Sequence, residues 1–373
     1  MTPRLISYCT RFKAIAFVAA ICLAGHTTTF AQTGRAPSTE LPDLRALIVG
    51  VASTPRLHSL PRLEGVANDV QAMRQLALKL GVHSNKITVL SDTESGSASP
   101  TLGAIQTSLR TLEEAATANT QLLIYLGGHG AQQPIQTNAN AAGNEFDGLD
   151  EVFLTADTQP FSVADRTTPG ALTDNMLAEV LQRLARKGVH VWLIVDSCNA
   201  GTMTRGAHDD EADANLFAVV GKRGASPDAI GVPLTITWQS LAARGKRLQR
   251  RLSTLFPSAE KQQTITSQWP NVTAFYATGE SGEAVDVRLN RESQSKTAEA
   301  YGLFTYLLTN EANRLLSATG SAPVLSYRLL MQRVLTRYRQ NAPKSAPLPT
   351  FEGVNTTSWF GKANVAVPSS SLR

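Results

Sequence analysis

Gln121 to Gly130 reads QLLIYLGGHG, a chargeless, mostly apolar run that ends in glycines around a histidine. A short stretch that is apolar throughout, rather than alternating, suits a strand buried on both faces. Ala46–Ala52 (ALIVGVA) and Val189–Val195 have the same character, and Ile87–Leu90 and Asn271–Gly279 (NVTAFYATG) are of strand length. Helical spacing fills the intervals. Gly65–Leu80 places Val66, Val70, Met73, Leu76, Ala77 and Leu80 on one face, and Gly81 closes it. Thr101–Ala116 does the same with Leu102, Ile105, Leu109 and Leu112, and Leu172–Leu184 follows. This alternation predicts an α/β fold with a mostly parallel central sheet and helices on both faces. Right-handed crossovers bring the strand C-terminal ends to one edge, where open α/β sheets hold their ligands. His129 and Cys198 each follow a buried strand, so they are expected to meet at that edge.

The N-terminus predicts export. Arg4, Arg11 and Lys13 precede the apolar run Ala14–Gly25, and the polar stretch HTTTFAQ follows. That is the order of a secretory signal, with Thr29 and Ala31 suited to cleavage after Ala31, and the run is short for a membrane anchor. The mature chain is expected in the periplasm or outside the cell, with no stable membrane span. Removing the signal takes three of the 35 basic residues, leaving 32 against 30 acidic ones. A balance so near neutral, without an aromatic-rich basic motif, excludes nucleic acid as an expected partner. Cys9 and Cys22 also leave with the signal, so Cys198 has no intramolecular partner. A lone thiol in an oxidising compartment is a liability unless chemistry needs it.

The expected organisation is a signal at 1–31, a leader at 32–44, a larger catalytic region at 45–201, a linker at 202–270, a smaller region at 271–360 and a tail at 361–373. The linker reading rests on lost periodicity, on HDDEAD (His208–Asp213) and on the basic run RGKRLQRR (Arg244–Arg251). Thr237–Leu255 within it is predicted helical, as are Phe304–Leu315 and Leu325–Tyr338.

A thiol attacks a carbonyl as thiolate, so it needs a base. His129 is placed to be that base and then to protonate the leaving amine. The amides of Gly130 and Cys198 are candidates for an oxyanion hole. The cysteine-histidine pair requires no cofactor.

YLGGHG (Tyr125–Gly130) and DSCNAG (Asp196–Gly201) together resemble the paired motifs of caspase-like cysteine peptidases (peptidase C14), metacaspases in particular. LEGVANDVQAM (Leu63–Met73), GLDEVFLTAD (Gly148–Asp157), ATGESGEAVD (Ala277–Asp286) and YGLFTYLL (Tyr301–Leu308) extend the resemblance over most of Leu47 to Gly353. It implies a caspase-haemoglobinase fold, with Cys198 as nucleophile and His129 as general base and acid. It also implies cleavage of proteins or peptides after Arg or Lys, with Asp69 and Asp196 as the carboxylates of the specificity (S1) pocket. A carboxylate pair suits a guanidinium, which it can engage bidentately. Calcium activates many members, and Asp147, Asp150, Glu151 and Asp157 are the candidate oxygen ligands. The sequence departs from the family at Gly127, Val66, Asn199 and Ala200, none of which removes a catalytic group.

An enzyme of this class would find cleavable bonds in RGKRLQRR, so self-processing there is expected. Two other readings stay open: the same fold cutting after Asp, and a catalytically silent domain that binds peptides or partners.

Overall fold

The computed structural model describes residues 41–134, 149–198, 217–236, 271–279, 282–289, 299–318, 326–344, 346–353 and 360–361. The signal, Asp147, the basic run Arg244–Arg251 and the helix expected over Thr237–Leu255 lie outside them.

In chain order the elements are β1 (Asp43–Gly50), α1 (Val66–Lys79), β2 (Ile87–Ser91), α2 (Leu102–Ala115), β3 (Thr120–Gly127), β4 (Gly130–Pro134), β5 (Leu149–Phe153), β6 (Leu172–Thr173), α3 (Asp174–Arg186) and β7 (His190–Asp196). There follow β8 (Phe217–Lys222), β9 (Gly224–Ala225), β10 (Val272–Tyr276), β11 (Val285–Leu289), β12 (Ala300–Gly302), α4 (Leu303–Ser317), α5 (Tyr327–Asn341) and β13 (Thr350–Glu352). The central sheet runs β13-β10-β7-β3-β1-β2; its five strands other than β13 are parallel. Two small sheets flank its C-terminal edge, β12-β11-β8 and β6-β5-β4-β9.

Strand alternation sorts the apolar residues to two faces. Ala46 and Ile48 of β1, Leu123 and Tyr125 of β3, and Trp192 and Ile194 of β7 pack with α1, α4 and α5. Their neighbours Leu47, Val49, Leu122, Ile124, Leu126, Val191 and Leu193 pack instead with Ile105, Leu109 and Leu112 of α2 and Leu181 and Leu184 of α3. Burying both faces requires the continuous apolar runs seen in the sequence. The helices start where side chains can cap them. Thr101 accepts from the Ala104 amide at 3.2 Å and Thr173 from the Met176 amide at 3.1 Å, satisfying donors that a first turn leaves open.

The stretch expected to be a linker, 202–270, is not wholly one. Its residues 217–225 form β8 and β9, which complete both small sheets. No helix among the described residues is long and apolar enough to cross a membrane.

Candidate active site

The register of β3 on β7 pairs Gly127 with Asp196, so the two strands end level. The Gly128 amide donates to the Asp196 carbonyl at 3.2 Å, and His129 and Cys198 follow on adjacent loops. A side chain on Gly130 would run into the Cys198 carbonyl, so a Cβ-free residue is required for the two loops to approach this closely.

His129 Nε2 lies 2.9 Å from the Pro61 carbonyl. A carbonyl only accepts, so Nε2 carries the proton and the neutral ring keeps Nδ1 as its basic atom. Nδ1 is buried and has no hydrogen-bond partner among the described residues, although the Arg223 carbonyl is near enough to bear on the ring's basicity. Burial, the main cause, holds the imidazole below its ordinary pKa. Burial likewise pushes the Cys198 thiol well above its usual range; a hydrogen bond with the Ala284 backbone opposes this and the Glu283 charge adds to it. The sulfur accepts from the Ala284 amide at 2.8 Å and is 2 % exposed. At rest the thiol and the imidazole are thus both neutral.

A second cluster lies beside it. Asp69 of α1, Asp196 of β7 and Asp286 of β11 are all fully buried, and all converge on the guanidinium of Arg223, between β8 and β9. Arg223 Nε donates to Asp286 Oδ1 at 2.8 Å, and Nη1 donates to the Asp196 carbonyl at 2.9 Å and lies 3.2 Å from Asp196 Oδ2. Nη2 reaches Asp69 Oδ2 and also Asp286 Oδ1, the latter at 2.7 Å. The acids are themselves fixed: Asp69 by the Gly302 amide at 2.9 Å, Asp196 by the Thr305 amide at 3.1 Å, and Asp286 by the Gly65 amide at 2.8 Å. A Cβ on Gly302 would come within 2.5 Å of both Arg223 Nη2 and Asp196 Oδ2, so glycine leaves the room the guanidinium fills. One cation among three carboxylates leaves negative charge in excess. Burial, helped by the neighbouring acids, raises Asp69 to about 8 against the pull of Arg223, and burial also raises Asp196.

The backbone around Arg223 is held as closely as its side chain. Its amide donates to the Ala284 carbonyl at 2.9 Å, and its own carbonyl accepts from the Gly130 amide at 2.9 Å. Upstream, β8 pairs antiparallel with β11; downstream, β9 pairs parallel with β4, matching Gly130 to Gly224. A Cβ on Gly224 would sit 3.4 Å from Cys198 Sγ. An extended strand therefore crosses the thiol, with an arginine in an acidic pocket and the following peptide bond beside the sulfur.

His129, Cys198, Gly130, Asp69 and Asp196 thus come together in one buried cluster around Arg223 and Gly224. Two of its members were missed. Asp286 ends a segment whose resemblance was noted, but nothing in its spacing marked it as a third acid. Arg223 sits in a stretch with no periodicity. Of the candidate calcium ligands, Asp150, Glu151 and Asp157 lie among the described residues. Asp150 gives its carboxylate to Gln133 Nε2 at 3.0 Å and Asn175 Nδ2 at 3.3 Å, and Asp157 caps the Leu102 amide at 2.8 Å and accepts from Thr155 Oγ1 at 2.6 Å. Glu151 lies on β5, and Asp147 is outside the described residues. Among the described residues no group of acids, histidines or cysteines is arranged to hold a metal ion.

Residues 44–205 match the family described as metacaspase, peptidase C14 domain. Metacaspase-1B of Neosartorya fischeri is 28 % identical over 223 residues, which cover 56 % of this chain and 50 % of that one. Metacaspase-3 of Arabidopsis thaliana is 29 % identical over 161 residues, covering 43 % of this chain and 40 % of that protein. The chain thus aligns with half or less of the length of each. Protein GSU0716 of Geobacter sulfurreducens shares the fold, with a TM-score of 0.50 at 18 % identity over 83 % of this chain and 93 % of that one.

Proposed function

From the match of residues 44–205 to the metacaspase, peptidase C14 domain family, we propose that this chain is a cysteine endopeptidase that cuts proteins after arginine. One observation carries the reading: the buried acids Asp69, Asp196 and Asp286 already grip a guanidinium, and the carbonyl of that same arginine rests on the Gly130 amide beside Cys198.

The chemistry follows from the atoms in place. His129 Nδ1 takes the thiol proton as Sγ adds to the carbonyl carbon after the arginine side chain. The negative charge that develops on the oxygen falls on the Gly130 N–H. Collapse of the intermediate breaks the C–N bond, and the imidazolium returns its proton to the leaving amine. Water, deprotonated by the same ring, then hydrolyses the thioester and frees the carboxylate. His129 is held for both proton transfers by its Nε2–H bond to the Pro61 carbonyl.

The pocket suits arginine better than lysine. A guanidinium fills it from three sides, whereas an ammonium is a point charge that cannot reach all three acids in one plane. An acidic side chain would meet carboxylates. Fluorogenic peptides that differ only in the residue before the cut test this. Arginine should be preferred to lysine by at least about tenfold, since several charge-assisted hydrogen bonds separate them, and aspartate should give no turnover. Cleavage after aspartate would keep Cys198 as nucleophile and discard the pocket. An unreactive Cys198 together with no cleavage would favour a peptide-binding domain.

Self-processing belongs to the same reading, at Arg223–Gly224 rather than in the basic run Arg244–Arg251. Export, with removal of residues 1–31, rests on the N-terminal pattern alone; the mass of the mature chain tests it.

A further inference from the structure

The strand laid across the thiol also shows how the cleft receives the residues on either side of the arginine. Lys222, the residue before Arg223, puts Nζ 2.7 Å from Glu283 Oε2. The other oxygen of that carboxylate lies 3.2 Å from where a Cβ on Gly224 would be, and Cys198 Sγ lies 3.4 Å from the same point. Glu283 precedes Ala284, which holds both the arginine amide and the sulfur. One carboxylate therefore borders the place before the cut and the place after it. Both partners of the ion pair are partly open to water, with side chains 58 % and 44 % exposed, so this subsite, unlike the arginine pocket, faces solvent.

We infer that Glu283 is a specificity-determining residue of this site, selecting substrates that carry a basic residue before the cleaved arginine. This deepens, and rests on, cleavage after arginine. The substrate class is a basic-arginine segment in extended conformation, paired with β11 in the place that β8 holds. Glu283 touches neither the guanidinium nor the Gly130 amide in the contacts described above, so changing it leaves the pocket and the oxyanion donor in place.

Internally quenched peptides with Lys, Gln or Glu before an arginine and glycine after it, given to the full chain, test this directly. In kcat/KM the wild type should favour Lys over Gln by roughly two- to fivefold, the range of a partly exposed ion pair, and should disfavour Glu further. Glu283→Gln should flatten the series, and Glu283→Lys should invert it in favour of Glu. The chain's own bond gives a second readout. Lys222→Glu should slow the appearance of the new Gly224 N-terminus, and adding Glu283→Lys should restore it. Arginine-dependent cleavage with the same selectivity in all three proteins overturns the role of Glu283 and leaves cleavage after arginine standing. If neither the peptides nor the Arg223–Gly224 bond is cut by the wild type, both readings fall together.

Discussion

The wild-type chain should separate into two fragments, one ending at Arg223 and one beginning at Gly224, while Cys198→Ala stays intact under the same conditions. The expectation is all-or-none because docking has already been accomplished within one molecule. The amide and carbonyl of Arg223 are bonded at 2.9 Å each, and its guanidinium is in the pocket. An intramolecular, oriented bond enjoys an effective concentration far above that of any free substrate. Intact mass and N-terminal sequencing of both proteins measure it. His129→Ala should behave like Cys198→Ala, and Arg223→Ala should move or abolish the cut. Identical mass profiles for wild type and Cys198→Ala would reduce the strand to a resident blocker.

Removing the arginine itself should expose the electrostatic cost of the pocket. In a Cys198→Ala background, which keeps the chain whole, Arg223→Ala is expected to lose about 3–5 kcal/mol of stability near pH 8, the cost of removing one partner from a buried charge cluster. The loss should shrink towards pH 5. An acid whose folded pKa is raised binds more protons folded than unfolded, so its contribution to stability falls as pH rises from its unfolded pKa through its folded one. Asp69, at about 8 folded and about 3.9 unfolded, sets that window even with Arg223 present. Without the guanidinium, which lowers Asp69 and Asp196, both acids rise further and the dependence steepens. Each additional proton held by the folded state adds about 1.4 kcal/mol of slope per pH unit. Thermal midpoints of the two proteins across pH 5–8 read this directly. A gap that stays constant with pH would mean that the acids are not the source of the cost.

The sequence disclosed what repeats and hid what depends on partners. The central strands were legible because a surface buried on both sides must be apolar at every position, as in β3 and β7, where every residue is buried. His129 and Cys198 were legible because a parallel sheet puts strand C-terminal ends on one edge. β8 was not, because only its first residue is buried and its place is decided by β11, which lies more than 60 residues away in the sequence. Likewise Asp286 and Arg223 draw their meaning from each other. A buried acid in a short strand and an arginine in an irregular stretch look like surface residues until the fold brings them together. At Asp150 and Asp157 the sequence did not tell which groups the carboxylates serve, because their partners are also set by the fold: they act as a cap and acceptors for nearby amides and hydroxyls.

The central sheet is built from both sides of the Arg223–Gly224 bond: β1, β2, β3 and β7 precede it, β10 and β13 follow it, and β10 is paired directly with β7. Breaking that one bond would therefore not release two pieces. It would turn a single polypeptide into a tightly knit heterodimer encoded by one reading frame, its halves joined by strand pairing and a shared core. Before the break, unfolding and refolding are unimolecular. Afterwards the halves must find each other in solution, without the high local concentration that a covalent tether supplies. Recovery from denaturation would then depend on protein concentration, and one severed bond would make assembly of this molecule practically a one-way event.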